Sequence, residues 1–99
     1  MTILSLTYIK SLDEVETYLQ EHIEYLKTYY ASGDFLASGR KIPRTGGVIL
    51  AQGTRQHIEN IITHDPFYRH KIATYELTEF IPTMTSQDLA FLQETLSSS

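Results

Sequence analysis

The chain has 99 residues, 41% of them hydrophobic and 20% charged, with a net charge of −4 and no cysteine. That length suits one domain with a modest core, and that balance suits a folded chain rather than a disordered one. The missing cysteine excludes disulfides, thiolate metal sites and a cysteine nucleophile, and the acidic balance argues against a nucleic-acid partner, which needs a clustered basic face.

Met1 to Leu6 lacks the basic start and long apolar run of a signal peptide, and no stretch approaches the ~20 apolar residues of a membrane span. Cytoplasm, with no membrane partner, is the expected location. Ile3 to Ile9 sets Leu4, Leu6 and Tyr8 against Ser5 and Thr7, the alternation of a strand. Ser11-Leu12-Asp13-Glu14 then forms a capping box, in which Ser11 accepts from the Glu14 amide and the Glu14 carboxylate reaches back. The helix that follows carries Val15, Tyr18, Leu19, His22, Tyr25, Leu26 and Tyr29 on one stripe and stops at Gly33.

Phe35 to Ser38 reads as a second strand. Gly39 to Thr45 reads as a loop, with Pro43 unable to pair and Arg40, Lys41 and Arg44 exposed. Gly46-Gly47 re-enters the sheet, and Val48 to Ala51 is a strand without a polar side. Thr54 caps a second helix whose core face is Ile58, Ile61, Ile62 and then Asp65, with Pro66 ending it. Ile72 to Ile81 is the last strand, closed by Pro82. Thr85 to Leu96 predicts a short helix through Leu89, Leu92 and Leu96, and Ser97 to Ser99 are expected to fray. Residues 1–84 thus form one domain and 85–99 a helical tail.

The order βαββαβ implies an α+β, ferredoxin-like fold: a four-stranded antiparallel sheet with two helices on one face. The other face would be bare, yet Val48 to Ala51 is apolar on both sides. Something must cover that open face, and a second copy of the chain is the simplest cover, which predicts a homodimer packed sheet to sheet.

The informative residues are ionisable groups on faces that should be apolar. His22 sits in the first helix's stripe. Asp65 lies three, four and seven residues beyond Ile62, Ile61 and Ile58, so it falls on the second helix's stripe. At 1.5 Å per residue, His22 is about 15 Å and Asp65 about 16 Å from the start of its helix, so in neighbouring parallel helices they converge. One reading is a general acid/base, Asp65 orienting His22 for proton transfer on a small substrate; the other is a buried ion pair.

Arg40, Lys41 and Arg44 beside Gly46-Gly47 would hold an anionic substrate, unless they are simply a solvated loop. Ser38, before a glycine, is either a pocket residue or a strand-end serine without a hydrolase elbow. Tyr25 neighbours His22 by helical spacing and either lines a cavity or fills the core. His57, His64 and His70 lack metal-binding spacing, so no metal is expected.

Asp65-Pro66-Phe67 ahead of Ala73-Thr74-Tyr75-Glu76-Leu77, His22 within Glu21-His22-Ile23-Glu24-Tyr25-Leu26, Phe35-Leu36-Ala37-Ser38-Gly39 and Pro43-Arg44-Thr45-Gly46-Gly47 together resemble the YciI-like (YCII-related) proteins. The resemblance spans roughly residues 3–82. It implies a dimeric α+β barrel, architecturally related to muconolactone isomerases. It also implies a site made of His22 and Asp65 with Ser38 beside them. Arg40, Arg44, Gly39, Tyr25 and Phe67 are the expected substrate contacts around that site. One activity recognised in the family is a dehydrochlorination in aromatic breakdown, proton-transfer chemistry that uses no cofactor. Many relatives carry proline where this chain has Arg40, a difference that bears on what enters the pocket.

Two functions follow from these readings. One is a cofactor-free lyase or isomerase for a small aromatic or carbonyl-bearing molecule, with His22 as base and Arg40 or Arg44 as anion clamp. The alternative is a non-catalytic small-ligand or regulatory module. A third use of the fold, RNA binding, is excluded because Gly47 to Ala51 lacks stacking aromatics and the charge has the wrong sign.

Overall fold

In the computed structural model, which describes residues 1–94, the alternating and helical periodicities become seven elements and a tail. Strand β1 (Thr2–Tyr8) leads into helix α1 (Leu12–Ala31), followed by β2 (Phe35–Arg40), β3 (Gly46–Ala51), α2 (Arg55–Ile62), α3 (Pro66–Arg69) and β4 (Ala73–Glu79). A 3-10 helix at Gln87–Leu92 completes the described chain. The four strands form one antiparallel sheet in the order β2-β3-β1-β4, the expected ferredoxin-like arrangement.

Register decides which side chains meet the helices. Leu4 pairs with Ile49 and Leu77, and Leu6 with Gly47 and Tyr75, so these residues share one face. Leu4, Leu6, Ile49 and Ala51 are buried there with Val15, Tyr25, Ile58, Ile61 and Phe67. Ile3, Ser5, Val48, Leu50, Thr74 and Glu76 occupy the opposite face, on which Val48 remains 38% exposed. Gly46 is required by close approach rather than by a turn. A Cβ there would stand 1.7 Å from the Leu6 carbonyl oxygen, a contact no side chain tolerates.

Helix α1 starts at the expected cap, with the Ser11 hydroxyl accepting from the Glu14 amide at 3.3 Å, but among the described residues the Glu14 carboxylate makes no return bond to the Ser11 amide. Its exit runs through Gly33 at φ 84°, in the left-handed region that glycine favours.

Three sequence expectations need correction. The second helix does not run to Asp65. Thr54 caps it, but α2 ends at Ile62 with Thr63 as its C-cap, and Pro66 begins a separate helix, α3, instead of ending the old one. Proline at the first helical position loses no needed hydrogen bond, and aspartate before it is a strong N-cap. Strand β2 extends through Gly39 and Arg40, which pair with Val48 and Gly47, so these two residues belong to the sheet and not to the loop. The tail forms a single 3-10 helix with Leu92 buried and Leu89 46% exposed, shorter than the helix expected from Thr85. Leu96 and Ser97 to Ser99 lie outside the described residues. No helix among the described residues is long and apolar enough to cross a membrane.

Candidate functional site

His22 projects from the middle of α1 and is buried against the sheet; Asp65 is fully buried at the start of α3. Their side chains meet, His22 Nδ1 lying 2.8 Å from Asp65 Oδ1. The expected meeting is therefore present, but not by the expected route. Asp65 is placed by its capping role: Oδ1 also accepts from the Phe67 amide at 2.9 Å, which aims the carboxylate back across α3 toward α1. Oδ2 accepts from the Tyr75 hydroxyl of β4. Three donors thus converge on one carboxylate, an arrangement that suits an acceptor-only ion.

Phe67 fixes the imidazole from the side. The two rings are parallel, 4.0 Å apart with 5° between their planes, and the Tyr8 and Phe67 rings stand edge-to-face at 6.0 Å. With Nδ1 held by Asp65 and one ring face held by Phe67, Nε2 is the ring nitrogen left for a ligand, and it has no hydrogen-bond partner among the described residues.

His22 lines a cavity of about 230 Å³ between α1 and strands β2 and β3. Leu19, Leu26, Tyr8 and Phe67 give it apolar walls; Ser38, Gly39, Arg40 and Arg44 give it a polar side. The two arginines differ. Arg44 is bound to Glu16 of α1 at 2.7 Å, and this contact with Glu16 raises its guanidinium's proton affinity further. Arg40 has no ion-pair partner among the described residues and is exposed. Ser38 reaches the cavity and shares a short hydrogen bond with the Tyr30 hydroxyl of α1.

Other expectations fare differently. Lys41 is half-buried, donating to the Thr7 hydroxyl at 3.2 Å, and Arg44 is half-buried too, so Arg40 alone of the three is fully exposed. Tyr25 does not line the cavity. Its ring sits 6.0 Å from His22, and its hydroxyl donates to the Ile61 carbonyl at 3.1 Å, making it a core tie between α1 and α2. The Gly46 carbonyl accepts from the Lys41 amide at 2.9 Å, which carries the pairing of β2 with β3 one residue further.

His57 pairs with Asp34 at 2.9 Å and His70 stacks on Tyr18 at 4.1 Å. Among the described residues, no group of three or more His, Cys, Asp or Glu side chains is placed to hold a metal ion.

Sequence reasoning missed Tyr75 and Tyr30. Tyr75 was signalled only by alternation, which puts it on the helix face opposite Leu6. Burial, and then the nearby Asp65 charge, raise the Tyr75 hydroxyl's pKa far above the ordinary phenol value, and burial does the same for Tyr25. Both phenols therefore stay protonated. Tyr75 is a permanent donor to Asp65.

A larger recess, about 780 Å³, lies between Met1, Phe80 and Leu92 at the other end of the sheet. Its side chains include Glu79 and Glu94 but no histidine, lysine or arginine, so it lacks a base–acid pair like that of His22 and Asp65.

The model of the YCII-related domain matches residues 1–81. The chain belongs to the YCII-related family. The matched span runs from β1 through β4 and includes every residue of the His22–Asp65 site, while the 3-10 helix lies beyond it. No curated protein matches the sequence. Among solved structures, the fold is similar to that of 5-chloro-2-hydroxyhydroquinone dehydrochlorinase (TftG) from Burkholderia phenoliruptrix AC1100, in complex with 2,5-dihydroxybenzoquinone. The TM-score is 0.67 and the identity 15%, over 81% of this chain and 93% of that one. At that identity the likeness is one of fold.

Proposed function

We propose that this YCII-related protein is a cofactor-free lyase or isomerase that moves a proton on a small single-ring molecule, with His22 as general base. The observation that carries this reading is the buried His22–Asp65 contact of 2.8 Å at the wall of a cavity holding Arg40, which has no ion-pair partner among the described residues. Asp65 accepts a hydrogen bond from Nδ1–H, which leaves the Nε2 lone pair to remove a proton from the ligand. The imidazolium so formed faces a carboxylate already held by Phe67 and Tyr75, so no reorganisation is needed as charge develops. In an isomerisation His22 returns the proton to another atom. In an elimination the C–H electron pair forms the new double bond, the leaving group departs with its own pair, and His22 later releases the proton to water.

Size and charge narrow the substrate. A cavity of about 230 Å³ is below the ~300–1,000 Å³ of drug-sized sites, so it suits one ring. With Arg44 occupied by Glu16, Arg40 is the cation available for a phenolate, enolate or carboxylate. Ser38, hydrogen-bonded to Tyr30, would contact the ligand from the β2 side. The fold neighbour's own activity, a dehydrochlorination, and its small quinone ligand belong to the same class of chemistry and support the reading.

The test incubates wild type and His22→Ala with hydroxylated and chlorinated single-ring compounds in D₂O, following chloride release and deuterium incorporation by NMR. Turnover should fall by about 10²–10⁴-fold in the variant. Equal turnover by both proteins would remove the acid/base role, and saturable binding without turnover would favour a ligand-binding module. We also propose that a second copy covers the open sheet face, where Val48 and Leu50 would otherwise meet water.

A further inference from the structure

A third cavity, about 530 Å³, lies on the edge of the sheet beside β4, lined by Ile9, Tyr68, Arg69, Lys71, Ala73, Thr74 and Tyr75. It shares no lining residue with the His22 cavity. We propose that it is a binding site for a small aromatic carboxylate, with the ring against Tyr68 and Ile9 and the carboxylate on Arg69 and Lys71.

Three independent features support this. The first is charge. The protein is acidic overall, at −4, yet two cations line this one recess, and neither takes part in any ion pair among the described residues. His70, between them in sequence, is turned away and stacked on Tyr18. Two exposed like charges repel each other, and an anion between them relieves that repulsion.

The second is apolar surface. Ile9 is 54% and Tyr68 48% exposed, and the Tyr68 ring stands edge-to-face with Tyr75 at 6.0 Å and 73°. One tyrosine face is therefore available for a flat ligand, while the neighbouring ring closes the back of the recess. Cations flanking exposed aromatic and aliphatic groups match the two ends of an aromatic carboxylate.

The third is the backbone. Lys71 adopts φ 55°, in the region where glycine or asparagine is preferred. The turn that closes α3 needs that conformation, with the Lys71 amide on the Tyr68 carbonyl and the Ile72 amide on the Phe67 carbonyl. Any residue with a Cβ carries a steric cost there, whatever its charge, and the turn fixes the point from which Lys71 lines the recess.

Tyr75 gives the site a connection to the rest of the protein. Its ring lines this recess while its hydroxyl donates to Asp65, the residue that holds His22. The inference does not depend on what the His22 cavity does.

The experiment is an ¹H–¹⁵N NMR titration of the full chain with benzoate as probe and benzyl alcohol as its uncharged counterpart, in wild type and in the double variant Arg69→Gln/Lys71→Gln. Both substituted side chains are exposed, and the dispersion of the variant's spectrum reports directly that the fold is kept. Benzoate should produce saturable shifts at the amides of Lys71, Thr74 and Tyr75, benzyl alcohol should bind more weakly there, and the double variant should lose about fivefold in benzoate affinity. Shifts confined to the surroundings of His22 and Arg40, an unchanged affinity in the variant, or the absence of any saturable shift at Lys71 to Tyr75 would each overturn the assignment.

Discussion

Replacing Asp65 separates its two roles, because alanine removes both and asparagine removes one. Its Oδ1 caps α3 through the Phe67 amide at 2.9 Å and accepts from His22 at 2.8 Å, while Oδ2 accepts from Tyr75. In Asp65→Ala, His22 can shift its proton to the other nitrogen and Tyr75 can rotate, but the buried Phe67 amide cannot find a new acceptor. The lost cap costs about 1–2 kcal/mol, and the lost charge-assisted bonds with the void they leave cost about 2–3 kcal/mol more. A total of about 3–5 kcal/mol is a large share of the ~5–15 kcal/mol that holds a domain of this kind folded. Asp65→Asn keeps the cap, since asparagine and aspartate are equivalent there, and keeps an oxygen for Nδ1. It loses the charge and the acceptor at Oδ2, where its amide nitrogen now faces the Tyr75 hydroxyl, together about 1–3 kcal/mol. Urea unfolding followed by circular dichroism should therefore rank wild type above Asn and Asn above Ala. Turnover of any substrate found should fall in Asn nearly as far as in Ala, because the developing imidazolium loses its counter-charge. An alanine variant within about 1 kcal/mol of wild type, or an asparagine variant as unstable as alanine, would refute this account of Asp65.

Three further outcomes are expected. Gly46→Ala should fail to accumulate as folded protein because the new methyl group collides with the Leu6 carbonyl 1.7 Å away, whereas Gly39→Ala, with nothing within 4 Å, should melt close to wild type; equal behaviour of the two in a thermal melt would contradict the packing. The Ser32 hydroxyl and then His57 hold the Asp34 carboxyl below its ordinary value, so folding favours its ionised form. That contribution is present above the unfolded carboxyl pKa of ~3.9 and is lost as the pH falls through the lower folded value. The gap in urea midpoint between wild type and Asp34→Asn should thus be wide at neutral pH and close in strong acid, and a pH-independent gap would exclude the linkage. Leu50→Lys, on the open sheet face opposite Ile3, should give a monomer by light scattering if a second copy covers that face; a wild type that is already monomeric removes the homodimer.

Much of the architecture was legible because it rests on local periodicity. Alternation located β1 and β4, an unbroken apolar run located β3, and the stripe from Val15 to Tyr29 located α1 with His22 on its buried side. Asp65 was found for a reason that proved false. The i, i+3, i+4, i+7 spacing from Ile58 ran on through Thr63 and His64, but the chain leaves the helix at Thr63, and Asp65 reaches the core as the cap of α3. Both geometries turn the same carboxylate inward, so the right pair emerged from the wrong helix. Gly39 and Arg40 read as part of the Pro43 loop with its exposed cations, but their pairing with Val48 and Gly47 keeps both in the sheet. The Tyr75–Asp65, Tyr30–Ser38 and Arg44–Glu16 contacts were not legible at all. Each depends on where two distant elements cross, which no local pattern encodes.

The Arg44–Glu16 contact has a bearing on traffic into the His22 cavity. It ties the segment between β2 and β3 to α1, and both ends are partly wet, with side-chain exposures of 30% and 51%. Charges so placed are held loosely and are screened by salt. Release of this tether would free the only stretch of the cavity rim that belongs to neither helix nor strand. The rate at which a ligand enters and leaves should then rise with ionic strength, even where equilibrium affinity for an anion falls.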